Sequence, residues 1–152
     1  MGPSGSGKST LLHCMSGVLT PDSGEVVFDG TNIAALDDAA RSKLRLNHFG
    51  FIFQDGQLLP ELTATENVAL PQIMRGTSRK EAHEQADDML TRLGLGNFTN
   101  RFPGQLSGGQ AQRVAIARAL AGPPKVVFAD EPTAALDQAT GHEVMQEIVA
   151  VA

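Results

Sequence analysis

A glycine- and serine-rich segment lies at residues 2–9 and is followed directly by a stretch of helical character. The segment fits the spacing G-x-x-x-x-G-K-[ST], in which glycines allow successive backbone N–H groups to turn towards one anion. The helix that follows would add the positive end of its dipole at the same point. A flexible glycine linker is the alternative, but the helix-like stretch supplies the context that the motif requires. We therefore predict a phosphate-binding loop formed by Gly2, Ser4, Gly5, Ser6, Gly7, Lys8, Ser9 and Thr10.

Two side chains of this loop could act on a nucleoside triphosphate. Lys8 would bring a full positive charge towards the β- and γ-phosphates, and Ser9 would offer its hydroxyl to Mg²⁺. The loop therefore predicts a site for a nucleotide together with its metal ion.

An acidic pair follows a short apolar run further along the chain. Residues 126–129 are all apolar, which is typical of a strand buried on both faces, and Asp130 and Glu131 come directly after them. In open α/β sheets, ligands bind beyond the carboxyl ends of the strands. Asp130 could hold Mg²⁺ there, and Glu131 could polarise the water that attacks the γ-phosphate. Alone, the pair would suggest a solvated turn; beside a phosphate loop, the interpretation as metal ligand and base is favoured.

These residues need a scaffold that brings distant segments together. Short β-type runs alternate with helical patterns, which indicates an α/β fold with a mainly parallel sheet. Two helices begin with capping-box patterns, at Ser78 and at Ser107, and the last helix is expected to turn Val144, Met145, Ile148 and Val149 inward. The predicted strands are residues 25–28, 49–53 and 126–129, and the predicted helices are residues 8–19, 37–46, 78–93, 107–121 and 138–151.

Composition limits the class of protein. The 152 residues are 41% hydrophobic and 19% charged, with a net charge of −5, as expected for a globular protein. The acidic balance argues against a bare nucleic-acid-binding protein, which usually has a basic face. No apolar stretch approaches the roughly 18 residues of a membrane-spanning helix, so we expect any connection with a membrane to come through a partner.

A further motif, LSGGQ at residues 106–110, again places a serine and two glycines at a helix start. An ordinary capped helix would look the same in isolation. With the following QRVAIARAL at residues 112–120, however, it resembles the signature motif of the ABC ATPase family. Other motifs of that family occur in the same order: residues 2–10 resemble Walker A, Gln54 the Q-loop glutamine, residues 126–131 Walker B and residues 135–137 the D-loop.

The resemblance implies a fold and a division of the chain. The family has a P-loop NTPase fold with a RecA-like core, which would correspond to residues 1–59 and 112–152. The α-helical subdomain that carries the signature motif would correspond to residues 60–111.

The resemblance also implies an ATPase that works as a head-to-tail dimer. ATP with Mg²⁺ would lie between the phosphate loop of one subunit and the signature motif of the other. Gln54 would contact Mg²⁺ or the attacking water, and Asp137 would help to couple the two sites. The signature residues involved would be Ser107, Gly108, Gly109 and Gln110.

A finer resemblance points to one branch of the family. Residues 8–13, 58–60 and 63–71 are similar to the lipoprotein-release and macrolide-export (LolD/MacB-like) branch. We expect a cytoplasmic subunit, peripheral on the inner face of the cell membrane, that powers export or lipoprotein release through a partner permease docked on the helical region. The alternatives are an ABC ATPase without a transport role, acting on ribosomes or DNA, and a cell-division-type (FtsE-like) ATPase.

Two parts of the family pattern are missing from the 152 residues. These are a strand and an adenine-stacking aromatic residue before Walker A, and a histidine some tens of residues after Walker B. His142 lies too close to Glu131 to be that histidine. We therefore expect these residues to be part of a longer reading frame and to hydrolyse ATP poorly on their own.

Overall fold

The computed structural model describes residues 6–53, 56–133, 141, 142, 145, 146 and 149. The helices are α1 (Lys8–Met15), α2 (Asp38–His48), α3 (Ala64–Met74), α4 (Arg79–Arg92) and α5 (Gly108–Leu120), and the strands are β1 (Val27–Phe28), β2 (Thr31–Asn32), β3 (Phe49–Ile52) and β4 (Val126–Ala129). Five of the predicted site residues, Gly2, Ser4, Gly5, Gln54 and Asp137, lie outside the described residues.

Strands β3 and β4 form a parallel pair in which Phe49 is opposite Val126 and Ile52 is opposite Ala129. The bounds of β4 were predicted correctly, and those of β3 to within one residue. The prediction that β4 is buried on both faces is wrong for the described part of the chain, where all four of its residues are half-buried. Among the described strands β4 pairs with β3 alone, so one of its edges is not covered by a strand.

A close contact between backbones joins this strand pair to α5. A Cβ atom added to Gly50 would lie 2.5 Å from the carbonyl oxygen of Ala119. Glycine is therefore required here by space, and β3 approaches the end of α5 more closely than any side chain would allow.

Helices α3, α4 and α5 pack around one apolar core with β3. Small side chains on the facing surfaces let the helices approach closely, and larger ones fill the remaining space. The buried residues of this core include Ile52, Ala64, Val68, Ala69, Ala82, Ala86, Leu90, Leu93, Val114, Ile116, Ala117 and Leu120. The signature helix is thus packed against both the other helices and the sheet.

The first helix ends earlier than predicted. Helix α1 stops at Met15, because Gly17 adopts a left-handed conformation with φ of +69°. The N–H of Gly17 donates to the carbonyl of Cys14, and that of Val18 to the carbonyl of His13, which is the Schellman pattern of a glycine-terminated helix. The sequence contains this stop signal, but the prediction extended the helix to residue 19.

A two-residue turn is confirmed between β1 and β2. Asp29 and Gly30 both have positive φ, +47° and +76°, as a type I′ hairpin turn requires. The strands it joins pair antiparallel, with Phe28 opposite Thr31. Strand β1 is shorter than predicted and begins at Val27.

The described residues between 141 and 149 are helical, as predicted, but two of them do not face inward. Met145 is 43% exposed and Val149 is 75% exposed. The inward orientation that the amphipathic pattern predicted for these two side chains is wrong in the described structure, because no described element covers them. Val144 and Ile148, for which the same orientation was predicted, lie outside the described residues.

Helix α3 begins with a capping box that was not predicted from the sequence. The Thr63 side chain accepts from the backbone N–H of Glu66, and the Glu66 carboxylate accepts from the backbone N–H of Thr63 at 2.8 Å. The hydrogen bonds from the backbone and then the hydroxyl of Thr63 lower the pKa of the Glu66 carboxyl. The ionised carboxylate is therefore the form that stabilises the start of α3.

We expect Glu66→Gln to lower the free energy of unfolding at neutral pH by about 0.5 kcal/mol, because the neutral amide loses the charged interactions at the helix start. The folded-state pKa is lowered, so this contribution is present above the ordinary carboxyl pKa and is lost as the pH falls through the folded value. Urea unfolding of both proteins at several pH values measures the difference. The exposed Glu61→Gln controls for net charge, and a difference at Glu66 that persists in acid would contradict the assignment.

Candidate functional site

The carboxyl ends of β3 and β4 lie side by side. Phe53 follows β3, and Asp130 and Glu131 follow β4. The backbone N–H of Asp130 donates to the carbonyl of Ile52 at 3.0 Å, so the acidic pair begins within one hydrogen bond of the end of β3. Gln54, the next residue after Phe53, lies outside the described part of the chain.

The start of α1 has the features of an anion-binding helix end. Gly7 occupies the N-cap with φ of +83°, and among the described residues beyond its own neighbours a Cβ atom there would meet no atom within 4 Å. Glycine is therefore favoured by backbone conformation and not by crowding. Because Gly7 has no side chain, it cannot accept the first-turn N–H groups, which have no partner within a helix. Ser6, Ser9 and Thr10 are exposed around this helix end.

Lys8 and Glu131 bring the two predicted regions together. The Nζ of Lys8 lies 3.9 Å from Oε1 of Glu131, with side chains 35% and 48% exposed. An ion pair this exposed stabilises the fold very little. Its significance is positional, because it places the phosphate-loop lysine next to the predicted base.

Helix α1 lies over the sheet edge that carries these groups. Leu12 and His13 of α1 and its C-cap residue Ser16 line one small cavity together with Phe51 of β3 and Asp130. The N-terminus of α1 is thus held close to the carboxyl ends of both strands.

Glu131 has a strained backbone. Its φ is +47°, in the left-handed region that residues other than Gly, Asn and Asp rarely adopt. This conformation costs about 1 kcal/mol or more for an L-residue. Strain of this kind is often retained at functional sites, where it orients a reactive group.

The signature segment begins α5 with a reciprocal capping box. The Ser107 hydroxyl accepts from the backbone N–H of Gln110 at 3.2 Å, and the Gln110 side chain accepts from the backbone N–H of Ser107 at 2.9 Å. Both bonds confirm the capping box that was predicted. They occupy two of the backbone donors at the helix start, and the N–H groups of Gly108 and Gly109 are the first-turn donors that have no partner within a helix.

Two polar residues of α5 that the sequence analysis did not single out join it to the loops of the site. The Gln112 side-chain amide donates to the carbonyl of Pro132 at 2.7 Å and contacts that of Phe53 at 3.4 Å. Arg118 donates to the carbonyls of Gly56 and Gln57, each at 2.8 Å. Nothing in the pattern of a helical glutamine or arginine shows that its side chain points at a loop.

A groove beside β3 contains three arginines. This arginine groove has a volume of about 380 Å³ and is lined by Arg45, Arg75 and Arg118 with aromatic rings of β3 and of Phe53. Burial lowers the pKa of Arg75 and of Arg118. A guanidinium keeps its charge at neutral pH nonetheless, so the groove combines positive charge with apolar surface.

The sequence matches the protein family described as ABC transporter over residues 1–134. The chain belongs to this family. It is 50% identical over 151 residues to the lipoprotein-releasing system ATP-binding protein LolD 2 of Caulobacter vibrioides, covering 99% of this chain and 66% of that protein. It is 51% identical over 145 residues to the macrolide export ATP-binding/permease protein MacB 2 of Aeromonas hydrophila subsp. hydrophila, covering 95% of this chain and 22% of that protein.

The fold is that of an ABC ATP-binding cassette. The chain superimposes with a TM-score of 0.90 on the dimeric structure of the ATP-binding cassette MJ0796 bound to ADP and phosphate, at 47% identity. The alignment covers 97% of this chain and 66% of that cassette, so the chain spans a little under two thirds of the length of this relative and of the LolD relative. This confirms the predicted P-loop NTPase fold. In the described part of this ABC chain, every helix is too short or too polar to cross a membrane.

We expect Glu131→Asn to raise the free energy of unfolding by up to about 1 kcal/mol, because asparagine tolerates the left-handed conformation better than glutamate. Glu131→Gln removes the same charge without relieving the backbone, and should stay within about 0.5 kcal/mol of the wild type. Urea unfolding of the three proteins gives the comparison. Equal stability of the two variants would show that the backbone strain at Glu131 does not lower the free energy of unfolding.

Proposed function

We propose that this chain is the ATP-binding and ATP-hydrolysing part of an ABC transporter that powers export or lipoprotein release through a partner permease. The observation that carries the proposal is the meeting of Lys8, at the start of α1, with Glu131, at the end of β4. A cation on a helix N-terminus and a strained carboxylate beside it are the groups that phosphoryl transfer to water needs.

The phosphate groups of ATP fit the start of α1. The exposed first-turn donors and the positive helix end suit an anion, and Lys8 adds a full charge. We assign nucleotide binding to the described residues Ser6, Gly7, Lys8, Ser9 and Thr10. On the sequence motif alone, we assign it also to Gly2, Ser4 and Gly5.

A magnesium ion would suit the oxygen groups that the two motifs supply. Hard divalent cations take hydroxyl and carboxylate oxygens, which Ser9 and Asp130 supply, and Gln54 would add an amide oxygen. When bound, Mg²⁺ neutralises charge on the β- and γ-phosphates.

Glu131 would act as the base in hydrolysis. Its carboxylate accepts a proton from water as the water oxygen bonds to the γ-phosphorus, and the bond from that phosphorus to the bridging oxygen of ADP breaks. The products are ADP and inorganic phosphate. Because Glu131 lies beside Lys8 in the described structure, phosphate groups that attract Lys8 would leave the carboxylate available to water.

The signature segment would complete the site of a second subunit. The MJ0796 cassette bound to ADP and phosphate is described as dimeric, which supports a nucleotide held between two cassettes. The first-turn amides of Gly108 and Gly109 form a second anion-binding helix start, with Ser107 and Gln110 holding its shape. We assign Asp137 to coupling of the two sites on the sequence motif alone.

The arginine groove fits a docking segment of the permease. Residues 60–111 would form the helical subdomain, and the groove lies where α3 and α5 meet β3. Its guanidinium groups and aromatic rings suit a short segment that carries a carboxylate among apolar residues. A subunit docked in this way would be peripheral on the inner face of the membrane.

We expect Glu131→Gln to abolish ATP turnover, lowering kcat by at least about 100-fold, and to leave nucleotide affinity within a few-fold of the wild type. Lys8→Ala should instead lower affinity, because it removes charge from the phosphates. Steady-state phosphate release and binding of a fluorescent ATP analogue separate the two effects. Retained turnover in Glu131→Gln would rule out the assigned base.

We expect Arg75→Glu to reduce copurification with the permease from the neighbouring gene by about tenfold, because charge complementarity across an interface is reversed. Arg79→Glu makes the same change of charge at an exposed position of α4, outside the groove, and should copurify as the wild type does. Equal retention of the two variants would show that the groove is not the docking surface.

A further inference from the structure

The side chain of Gln112 is almost completely buried and lies between the two loops of the site. It is 3% exposed. Its amide nitrogen lies 2.7 Å from the carbonyl oxygen of Pro132 and 3.4 Å from that of Phe53. Pro132 comes directly after Glu131, and Phe53 comes directly before Gln54. One side chain thus contacts the backbone next to both residues assigned to the attacking water.

A buried donor between two carbonyls is sensitive to change. If a buried carbonyl loses its hydrogen-bond partner, the loss of stability is larger than the net stability that the hydrogen bond contributed, because water cannot replace the partner. The amide oxygen of the same side chain lies beside Gly56, since a Cβ atom there would be 3.5 Å from Oε1 of Gln112.

Arg118 holds the other end of the first loop. Its guanidinium donates to the carbonyls of Gly56 and Gln57 at 2.8 Å each. Gln57 is not a glycine and yet has φ of +44°, a backbone conformation that persists only where the surrounding structure supports it. Gln112 and Arg118 are six positions apart on α5, and together they attach both flanks of Gln54 to one helix.

We propose that Gln112 is a positioning residue for ATP hydrolysis: it ties the loops carrying Gln54 and Glu131 to the helix that begins at Ser107. The proposal rests on the proposed function. The position of Glu131 then depends on the position of α5. A movement of the signature segment would change the position of Glu131 through the side chain of Gln112. The role assigned to Gln112 is to hold these loops, and contact with the nucleotide or the attacking water is no part of it.

The test compares two buried glutamines in the full-length protein. Gln112→Met removes the donor and keeps the length of the side chain. Gln72→Met is the matched control, because the Gln72 side chain is 6% exposed and donates to the carbonyl of Ala121 at 2.8 Å. We expect kcat to fall about tenfold or more in Gln112→Met with KM for ATP within about threefold, because the base is misplaced and binding is not. Gln72→Met should keep kcat within about twofold of the wild type.

A second variant tests the hydrogen bond itself. Burial disfavours an ionised carboxylate, and a protonated carboxyl can donate to Pro132, whereas an ionised one cannot. The ratio of kcat in Gln112→Glu to kcat in the wild type should therefore rise as the pH is lowered from about 8.5 to about 6.5. A role in packing alone predicts a pH dependence no larger than that of Gln72→Glu, which buries a carboxylate at a similar depth. This measurement also decides the matter if Gln112→Met does not fold.

The outcomes separate the two proposals. A wild-type protein that binds ATP without hydrolysing it, alone or with its permease, would overturn the proposed function. A wild-type protein that hydrolyses ATP, with Gln112→Met no slower than Gln72→Met or with a pH dependence for Gln112→Glu no larger than that for Gln72→Glu, would overturn only the role of Gln112.

Discussion

The parallel pairing of β3 with β4 is the constraint on which the site depends. The two strands run in the same direction with Ile52 opposite Ala129, so both chains leave the sheet at one edge. The segment that leads to Gln54 and the acidic pair therefore start as neighbours, although more than seventy residues separate them in the sequence. A slip of one residue in this register would turn every side chain of the strand to the other face. Helix α1 then needs only to lie across the same edge to bring Lys8 to Glu131.

Helix α5 is the second organising element, and it acts through polar contacts buried beneath the loops. Its apolar face joins the core of α3 and α4, which fixes where the helix lies. Two of its polar residues bond to the loops, with Gln112 between the two loops and Arg118 at the first of them. The helix that begins with the signature segment is thereby hydrogen-bonded to the loop that carries the proposed base. Buried contacts of this kind specify a geometry more than they add stability.

The features that were predicted correctly depend on short-range rules. The Asp29-Gly30 turn, the Ser107 capping box and the limits of β4 each follow from a few adjacent residues. The features that were missed depend on the fold as a whole. A glutamine in a helix gives no sign of whether it meets solvent or a loop, and an amphipathic pattern at Met145 does not supply the surface that would cover it. The early end of α1 is different, because Gly17 did carry that information and was given too little weight.

The contact between Gly50 and Ala119 makes the C-terminal end of α5 a pivot point for the helix. The strand and the helix already touch there through their backbones, so the helix cannot move towards the sheet at that point, and moving away would open a gap. A tilt of α5 together with the helices packed on it would keep this contact and would move the opposite end of the helix, where the signature segment lies. Ser107 is twelve positions from Ala119, a distance of about 18 Å along a helix, so a tilt of about 3° would carry Ser107 by about 1 Å. Gln112 lies between Ser107 and Ala119 on α5 and would move by a smaller amount in the same direction.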